Sequence, residues 1–232
     1  MKAFLLAAGY GTRLRPLTDK VPKCLLPVQG TPMLQIWLDT CARFGVDEVL
    51  INVHAHAAAV QDFLHKHPHR TRVHVVEEEQ LLGSAGTLLK NREWVASERC
   101  FWVFYADVLH QVDLAAMQKI HAARQPAATI GAYCVSDPRR CGVLDLGDDD
   151  TVVGFVEKPT HPRSNLAFSG ILLGSQRLLD AVPPQAQSDL GFDVLPRLVG
   201  DMVAYRISSY LIDVGTMENY QIAQKTWPGI LW

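Results

Sequence analysis

The chain has 232 residues, 48% hydrophobic and 20% charged, the balance of an ordinary globular protein. Lys and Arg total 22 against 24 Asp and Glu, a net charge of -2, which gives no basic surface for nucleic acid or an anionic membrane. No stretch reaches the roughly 18–20 apolar residues of a bilayer span, and the length suits one large α/β domain or at most two small ones.

In chain order, the first apolar run covers residues 3–8. It is too short for the core of a secretion signal and ends in glycine, so it reads as a buried strand. Residues 48–53, 72–76 and 100–106 read the same way. Their continuous apolar character predicts strands covered on both faces, as in a mostly parallel sheet. Between the first two, Thr31 suits a helix N-cap, Pro32 the first helical position and Gly45 the helix end. Further helices are predicted over 57–66, 113–124 and 216–225. After about residue 126 the pattern becomes strand-rich, with strands over 127–135, 142–146, 152–157 and 167–173. Asp148, Asp149 and Asp150 make a turn whose acids are expected to be solvated.

These elements predict an α/β fold: a Rossmann-like mixed, mostly parallel central sheet flanked by helices, with a smaller antiparallel part. One domain is expected over 1–232, with parts of about 1–125, 126–200 and 201–232 and ligands over the carboxyl ends of the core strands. The five cysteines (24, 41, 100, 134 and 141) form no CxxC pair and are expected as reduced, mostly buried thiols of a cytoplasmic protein. His54 and His56, and His65, His67 and His69, lack a Cys or carboxylate partner set for zinc and read as surface residues. The apolar tail 227–232 is expected either to form an interface in a homo-oligomer or to fold back on the core.

The segment Ala7-Ala8-Gly9-Tyr10-Gly11-Thr12-Arg13-Leu14-Arg15 runs from a buried strand into a loop of small residues. Such a loop can point successive N–H groups at an anion, and Arg13 and Arg15 add charge that grips phosphate. Leu14 stands where a dinucleotide fingerprint needs its third glycine, and no Gly-Lys-Ser/Thr of a Walker loop is present. Composition alone leaves a tight turn beside two surface arginines as the competing reading.

With Pro22-Lys23-Cys24-Leu25-Leu26-Pro27-Val28, the opening reads G-x-G-T-R-L-x-P-L-T, four residues, then P-K-x-L-x-P-V. This resembles the sugar-1-phosphate nucleotidylyltransferases, the nucleoside-diphosphate-sugar pyrophosphorylases. The resemblance implies transfer of a nucleoside monophosphate from an NTP to a sugar 1-phosphate, with Mg2+ as cofactor. It assigns Ala8, Gly9, Gly11, Thr12 and Arg13 to the triphosphate, and Lys23 to the attacked phosphate. Gln80 and Gly83, in Gln80-Leu81-Leu82-Gly83-Ser84-Ala85-Gly86, would meet the nucleobase. Asp107, after Phe104-Tyr105-Ala106, and Asp213, in Leu211-Ile212-Asp213-Val214-Gly215, would hold the metal; the family usually has Gly where Ala106 stands. Gly142, Glu157, Lys158 and Gly170 would hold the sugar phosphate. Cys141 replaces a usual aromatic, and Ser169 stands where the family has Asn. Arg13, Lys23, Asp107 and Lys158 would be catalytic.

The attacking phosphate is already anionic, so no general base is needed, and the charge of two polyanions must be cancelled instead. The short chain, ending about twenty residues past Asp213, resembles the compact bacterial branch without a C-terminal β-helix. Two rivals remain: a non-catalytic regulatory subunit that binds nucleotide sugars, and a phosphocholine-type cytidylyltransferase.

Overall fold

A computed structural model describes residues 1–230. In chain order the elements are β1 Lys2–Leu6, β2 Pro27–Val28, β3 Thr31–Pro32, α1 Met33–Arg43, β4 Glu48–Val53, α2 Ala57–Lys66 and β5 Arg72–Glu77. There follow α3 Gly83–Lys90, β6 Cys100–Tyr105, β7 Val108–His110, α4 Leu114–Arg124, β8 Ala128–Cys134, β9 Gly142–Leu146 and β10 Val152–Glu157. The chain closes with β11 Leu166–Ser175, α5 Gln176–Asp180, β12 Met202–Arg206, β13 Leu211–Asp213 and α6 Met217–Thr226. The fold is mixed α/β, as the alternation of strand and helix periodicities predicts.

The chain divides into two compact units. One comprises Met1–Leu81, Phe104–Val112 and Ser209–Trp232; the other comprises Leu82–Val103 and Asp113–Ser208.

In the first unit β1 pairs parallel with β4, and β4 parallel with β5. The interiors of β1 and β4 are buried, which is why their sequences are apolar without alternation. Strand β5 departs from that expectation: it is an edge strand, and all its residues are half-buried or exposed. Trp37 of α1 packs on Phe104, with ring centroids 4.7 Å apart.

The start of α1 corrects the sequence reading. Thr31 and Pro32 are not the helix cap and first turn; they pair with Pro27 and Val28 in a short hairpin. Gln29 and Gly30 close it, both at positive φ (48° and 85°), the geometry that suits a two-residue hairpin loop. The helix then begins at Met33, and Gly45 follows its end at φ 69°, as predicted.

The second unit is largely antiparallel. Strand β11 pairs with β8 and β9, and β9 with β10, all antiparallel; β12 adds a parallel pairing on β8 that the sequence reading did not anticipate. The acid turn is also corrected. Arg124 Nη2 lies 2.6 Å from Asp149 and Arg206 Nε 2.7 Å from Asp150, so two of its carboxylates are paired rather than only solvated. Hydrogen bonds from Thr151 and Arg124 pull the Asp149 carboxyl down to about 2. Helix α4 begins where predicted, Asp113 accepting 2.9 Å from the Ala116 N–H as N-cap.

Of the tail, Trp227 is buried and meets the Tyr210 ring edge-on at 5.4 Å, while Ile230 packs on the same cluster with Val28, Met33 and Val214. Residues 227–230 therefore fold back on the first unit; Leu231 and Trp232 lie outside the described residues. All five cysteines are free, but only Cys24 and Cys41 are buried, fewer than expected. No described helix is long and apolar enough to cross a membrane.

Candidate active site

The first group of site residues belongs wholly to the first unit. The loop after β1 is anchored at its start, where the Ala7 N–H donates to Asn52 Oδ1 at 2.8 Å. Asn52 Nδ2 in turn donates 2.9 Å to Glu78, itself 2% exposed. Two residues on, His54 braces the same loop. Its Nδ1 lies 2.6 Å from the Glu78 carbonyl and its Nε2 2.9 Å from the Tyr10 hydroxyl. Since a carbonyl only accepts, Nδ1 is the donor of that bond, and in the neutral ring Nε2 accepts from Tyr10. The sequence reading missed this scaffold, although an Asn inside the apolar run of β4 was a visible sign of a buried hydrogen-bonding role.

Gly11 sits at φ 63°, and a side chain there would come within 2.9 Å of Thr18 Cγ2; Thr18 Oγ1 also donates 2.8 Å to the Gly11 carbonyl. The turn therefore requires glycine, which explains the second G of the motif. Ala8 is buried, Gly9 exposed, and Thr12 and Arg13 begin an exposed short turn.

Asp107 follows β6 by two residues, and Asp213 ends β13, which pairs antiparallel with β7. The Val214 N–H donates 2.8 Å to the Asp107 carbonyl, tying the two acidic segments together. Lys23 Nζ makes a short ion pair with Asp107 Oδ2, at side-chain exposures of only 12% and 25%, so this is no freely solvated surface bridge. Gly215 marks the convergence. A Cβ added there would lie 2.6 Å from Asp213 Oδ1, 2.8 Å from Arg13 Nη2 and 3.4 Å from Lys23 Nζ. The Gly215 N–H donates 2.6 Å to Asp213 Oδ1. Burial first, and the neighbouring Asp107 second, push the Asp213 carboxyl above the usual carboxylate range, while Lys23 and Arg13 work against them.

This concentration of two acids and two cations around one bare backbone position can receive a phosphate chain with a hard divalent cation. Two carboxylates plus phosphate oxygens suit the oxygen preference of magnesium, and the pressure on Asp213 is the kind that a cation relieves. Among the described residues no group of three or more His, Cys, Asp or Glu could hold a metal alone. In the histidine clusters, His67 stacks on Phe63 at 4.3 Å, and His69 Nδ1 bonds the Thr71 carbonyl at 2.7 Å.

Gln80 is exposed. Gly83, in the second unit, opens α3 at φ 76° with its Cα against the Ser188 backbone, whose carbonyl oxygen accepts from the Ala85 and Gly86 N–H groups at 3.1 and 3.2 Å. Packing alone therefore demands glycine at 83.

The second group of site residues lies wholly in the second unit. Glu157 ends β10, and its carboxylate fills the space that side chains at Gly142 and Gly191 would occupy. Burial raises the Glu157 carboxyl above its ordinary value; Lys158 opposes this and Asp189 adds to it. Lys158, at φ 49°, donates its N–H 2.9 Å to the Cys141 carbonyl, so Cys141 serves through its backbone. Lys158 Nζ stands 3.7 Å from Glu157 Oε1 and 5.2 Å from the centroid of the Phe192 ring. Gly170 is buried in β11 at φ 76°, in the stretch where the pairing register with β8 shifts, and Ser169 Oγ accepts 3.2 Å from the Ile171 N–H. Ser169 is 3% exposed, so its hydroxyl serves the bulge.

Two charged clusters thus stand on the α/β scaffold, one pairing two acids with Lys23 and Arg13, the other setting Glu157 beside Lys158. A family model described as nucleotidyl transferase matches residues 2–227, and the chain belongs to that family. It is 30% identical over 223 residues to the mannose-1-phosphate guanylyltransferase of Mycobacterium tuberculosis, covering 94% of this chain and 62% of that protein. It is 28% identical over 238 residues to the UTP–glucose-1-phosphate uridylyltransferase of Synechocystis, covering 95% and 61%. The chain thus spans about three fifths of the length of these relatives. Among solved structures, HddC from Yersinia pseudotuberculosis superposes with a TM-score of 0.82 at 26% identity, covering 97% of this chain and 99% of that one. The same protein complexed with GMP-PN gives 0.80 at 25%.

Proposed function

We propose that the chain transfers a nucleoside monophosphate from a nucleoside triphosphate to a sugar 1-phosphate. The carrying observation is the convergence of Arg13, Lys23 and Asp213 on Gly215, with Asp107 paired to Lys23. A phosphate oxygen of the sugar attacks the α-phosphorus in line. One P–O bond forms, the α–β bridge breaks, and pyrophosphate leaves. Arg13 and Lys23 offset the charge of the triphosphate, and Lys158 that of the sugar phosphate. Lys23 exchanges its partner Asp107 for the attacked phosphate when donor binds. Asp107 and Asp213 would hold Mg2+, which supplies positive charge to the phosphate oxygens and the leaving pyrophosphate. Glu157 accepts hydrogen bonds from sugar hydroxyls, and the backbone around Gln80 and Gly83 meets the base. The chemistry needs no membrane or nucleic acid and suits a cytoplasmic enzyme.

The names of the relatives and the guanosine-type ligand of HddC make GTP the first donor to test, with mannose 1-phosphate as the first acceptor. Pyrophosphate release measured for GTP, UTP, dTTP and CTP against several sugar 1-phosphates in the presence of Mg2+ checks the reading. One donor–acceptor pair is expected to dominate. Nucleotide-sugar binding with no release anywhere in the matrix would instead favour the regulatory subunit, and release only with CTP and phosphocholine the cytidylyltransferase.

A further inference from the structure

Phe192 is 56% exposed, whereas Leu190 and Val194 on the same short π-helical turn, Leu190–Val194, are fully buried. An exposed ring on a mobile loop would mean little, but this turn is fixed. Asp189 Oδ1 accepts from the Gly191 and Phe192 N–H groups at 2.8 and 3.3 Å, and Oδ2 from the Ser84 hydroxyl at 2.8 Å. Ser84 Oγ in turn accepts 2.7 Å from the Leu190 N–H, and Asp193 accepts 2.7 Å from the Asp189 N–H. Turns of this type are rare and recur at functional sites. The ring they present borders the two charges already described: Lys158 Nζ lies 5.2 Å from its centroid and 3.7 Å from Glu157 Oε1.

Three different chemistries therefore meet in one small area: an aromatic face, a carboxylate and an ammonium. A pyranosyl phosphate carries the matching three, namely an apolar C–H face, hydroxyl donors and an anion. A quaternary ammonium such as choline also stacks on aromatic rings, but here Lys158 already holds the cation position and would repel it. Resting on the function proposed above, we infer that Phe192 is the platform on which the acceptor's sugar ring stacks, and so a specificity-determining residue for that substrate. Its contact with Lys158 also holds the ammonium in place before the sugar phosphate arrives.

Steady-state kinetics and intermolecular NOE measurements on the full chain test this together, with the 1-phosphates of mannose, glucose and N-acetylglucosamine as probes and GTP or UTP as donor. Phe192→Ala is expected to raise KM for the preferred sugar phosphate about tenfold, with KM for the triphosphate within about twofold, and Phe192→Tyr to restore it. NOEs from Phe ring protons to sugar C–H protons are expected in the wild type and lost in Phe192→Ala. Equal rises in both KM values, or an unchanged sugar-phosphate KM, would overturn the proposal. The NOE arm separates this inference from the reaction itself. Ring-to-sugar NOEs without pyrophosphate release support the platform while sinking the reaction, and no such NOE with any of the three probes sinks the platform even if turnover is seen.

Discussion

The two candidate site regions are built by different means. Around Gly215, both signs of charge crowd together and almost cancel: Lys23 is paired with Asp107, and Arg13 lies close to Asp213. Around Glu157 acids predominate, Asp189 adding to Glu157 against Lys158, and shape matters as well: two glycines make room for one carboxylate, and a ring flanks one cation. The first arrangement is suited to a substrate that brings its own metal and several negative charges. The second suits a ligand recognised by hydroxyls and one phosphate. Opposed charges in balance mark the first region; a half-buried carboxylate, a cation and an aromatic face mark the second.

Removing charge should therefore hurt the first region most. Asp107→Ala or Asp213→Ala is expected to lower kcat at least about 10³-fold while the thermal unfolding midpoint stays near that of wild type. Wild-type-like turnover in either variant would remove that residue from the proposed metal site. In the second region Lys158→Ala should act on one substrate only, raising KM for the sugar phosphate roughly 10- to 100-fold with KM for the triphosphate little changed. A parallel rise in both constants would erase the division drawn here.

Glu157→Gln sharpens the contrast further. Burial holds this carboxyl above its ordinary value, so its ionised form works against folding at neutral pH. The amide is expected to raise the urea midpoint slightly while weakening sugar-phosphate use about tenfold or more. A lower midpoint would mean that the carboxylate is held by partners stronger than Lys158.

The smallest expected effect is on stability against pH, and each unit supplies one histidine. Burial pulls His110, in the first unit, down to about 3, and burial aided by Arg177 pulls His121, in the second, to about 4. Both values lie below the ordinary 6.5 of the unfolded chain, so the unfolded state takes up protons first as pH falls. Stability should be full above about pH 6.5 and decline below it, at up to about 1.4 kcal/mol per pH unit for each proton bound. Urea unfolding at pH 7.5 and 5.5 measures this, and His110→Phe and His121→Phe should each flatten part of the slope. His110 Nδ1 accepts 3.0 Å from the Val112 N–H, so its own substitution also removes a local bond, and the His121 variant is the cleaner of the two.

Part of the first region was legible in the sequence because one continuous stretch supplies its loop and both its cations. The glycine turn at 11, Arg13 and Lys23 all lie within residues 9–23, and a backbone loop reads locally. Strands β4, β9 and β10 and helix α2 likewise match their predicted bounds, since burial on one or both faces dictates residue pattern directly. The hairpin before α1 was misread because its turn, Gln29-Gly30, lacks the Asn or Asp that usually announces two positive φ angles.

What the sequence by itself determined was the fold class, the family resemblance and the residue types gathered in the candidate sites. Those depend on hydrophobic period and on neighbours along the chain. Only the tertiary structure decided which of those residues meet. It brought Gly215 against Arg13 and Lys23 from the far end of the chain, set Gly191 beside Glu157, and left Phe192 exposed on a turn braced by Ser84. Such meetings depend on strand pairing and on the volume that a missing Cβ leaves, and neither quantity is local to the chain.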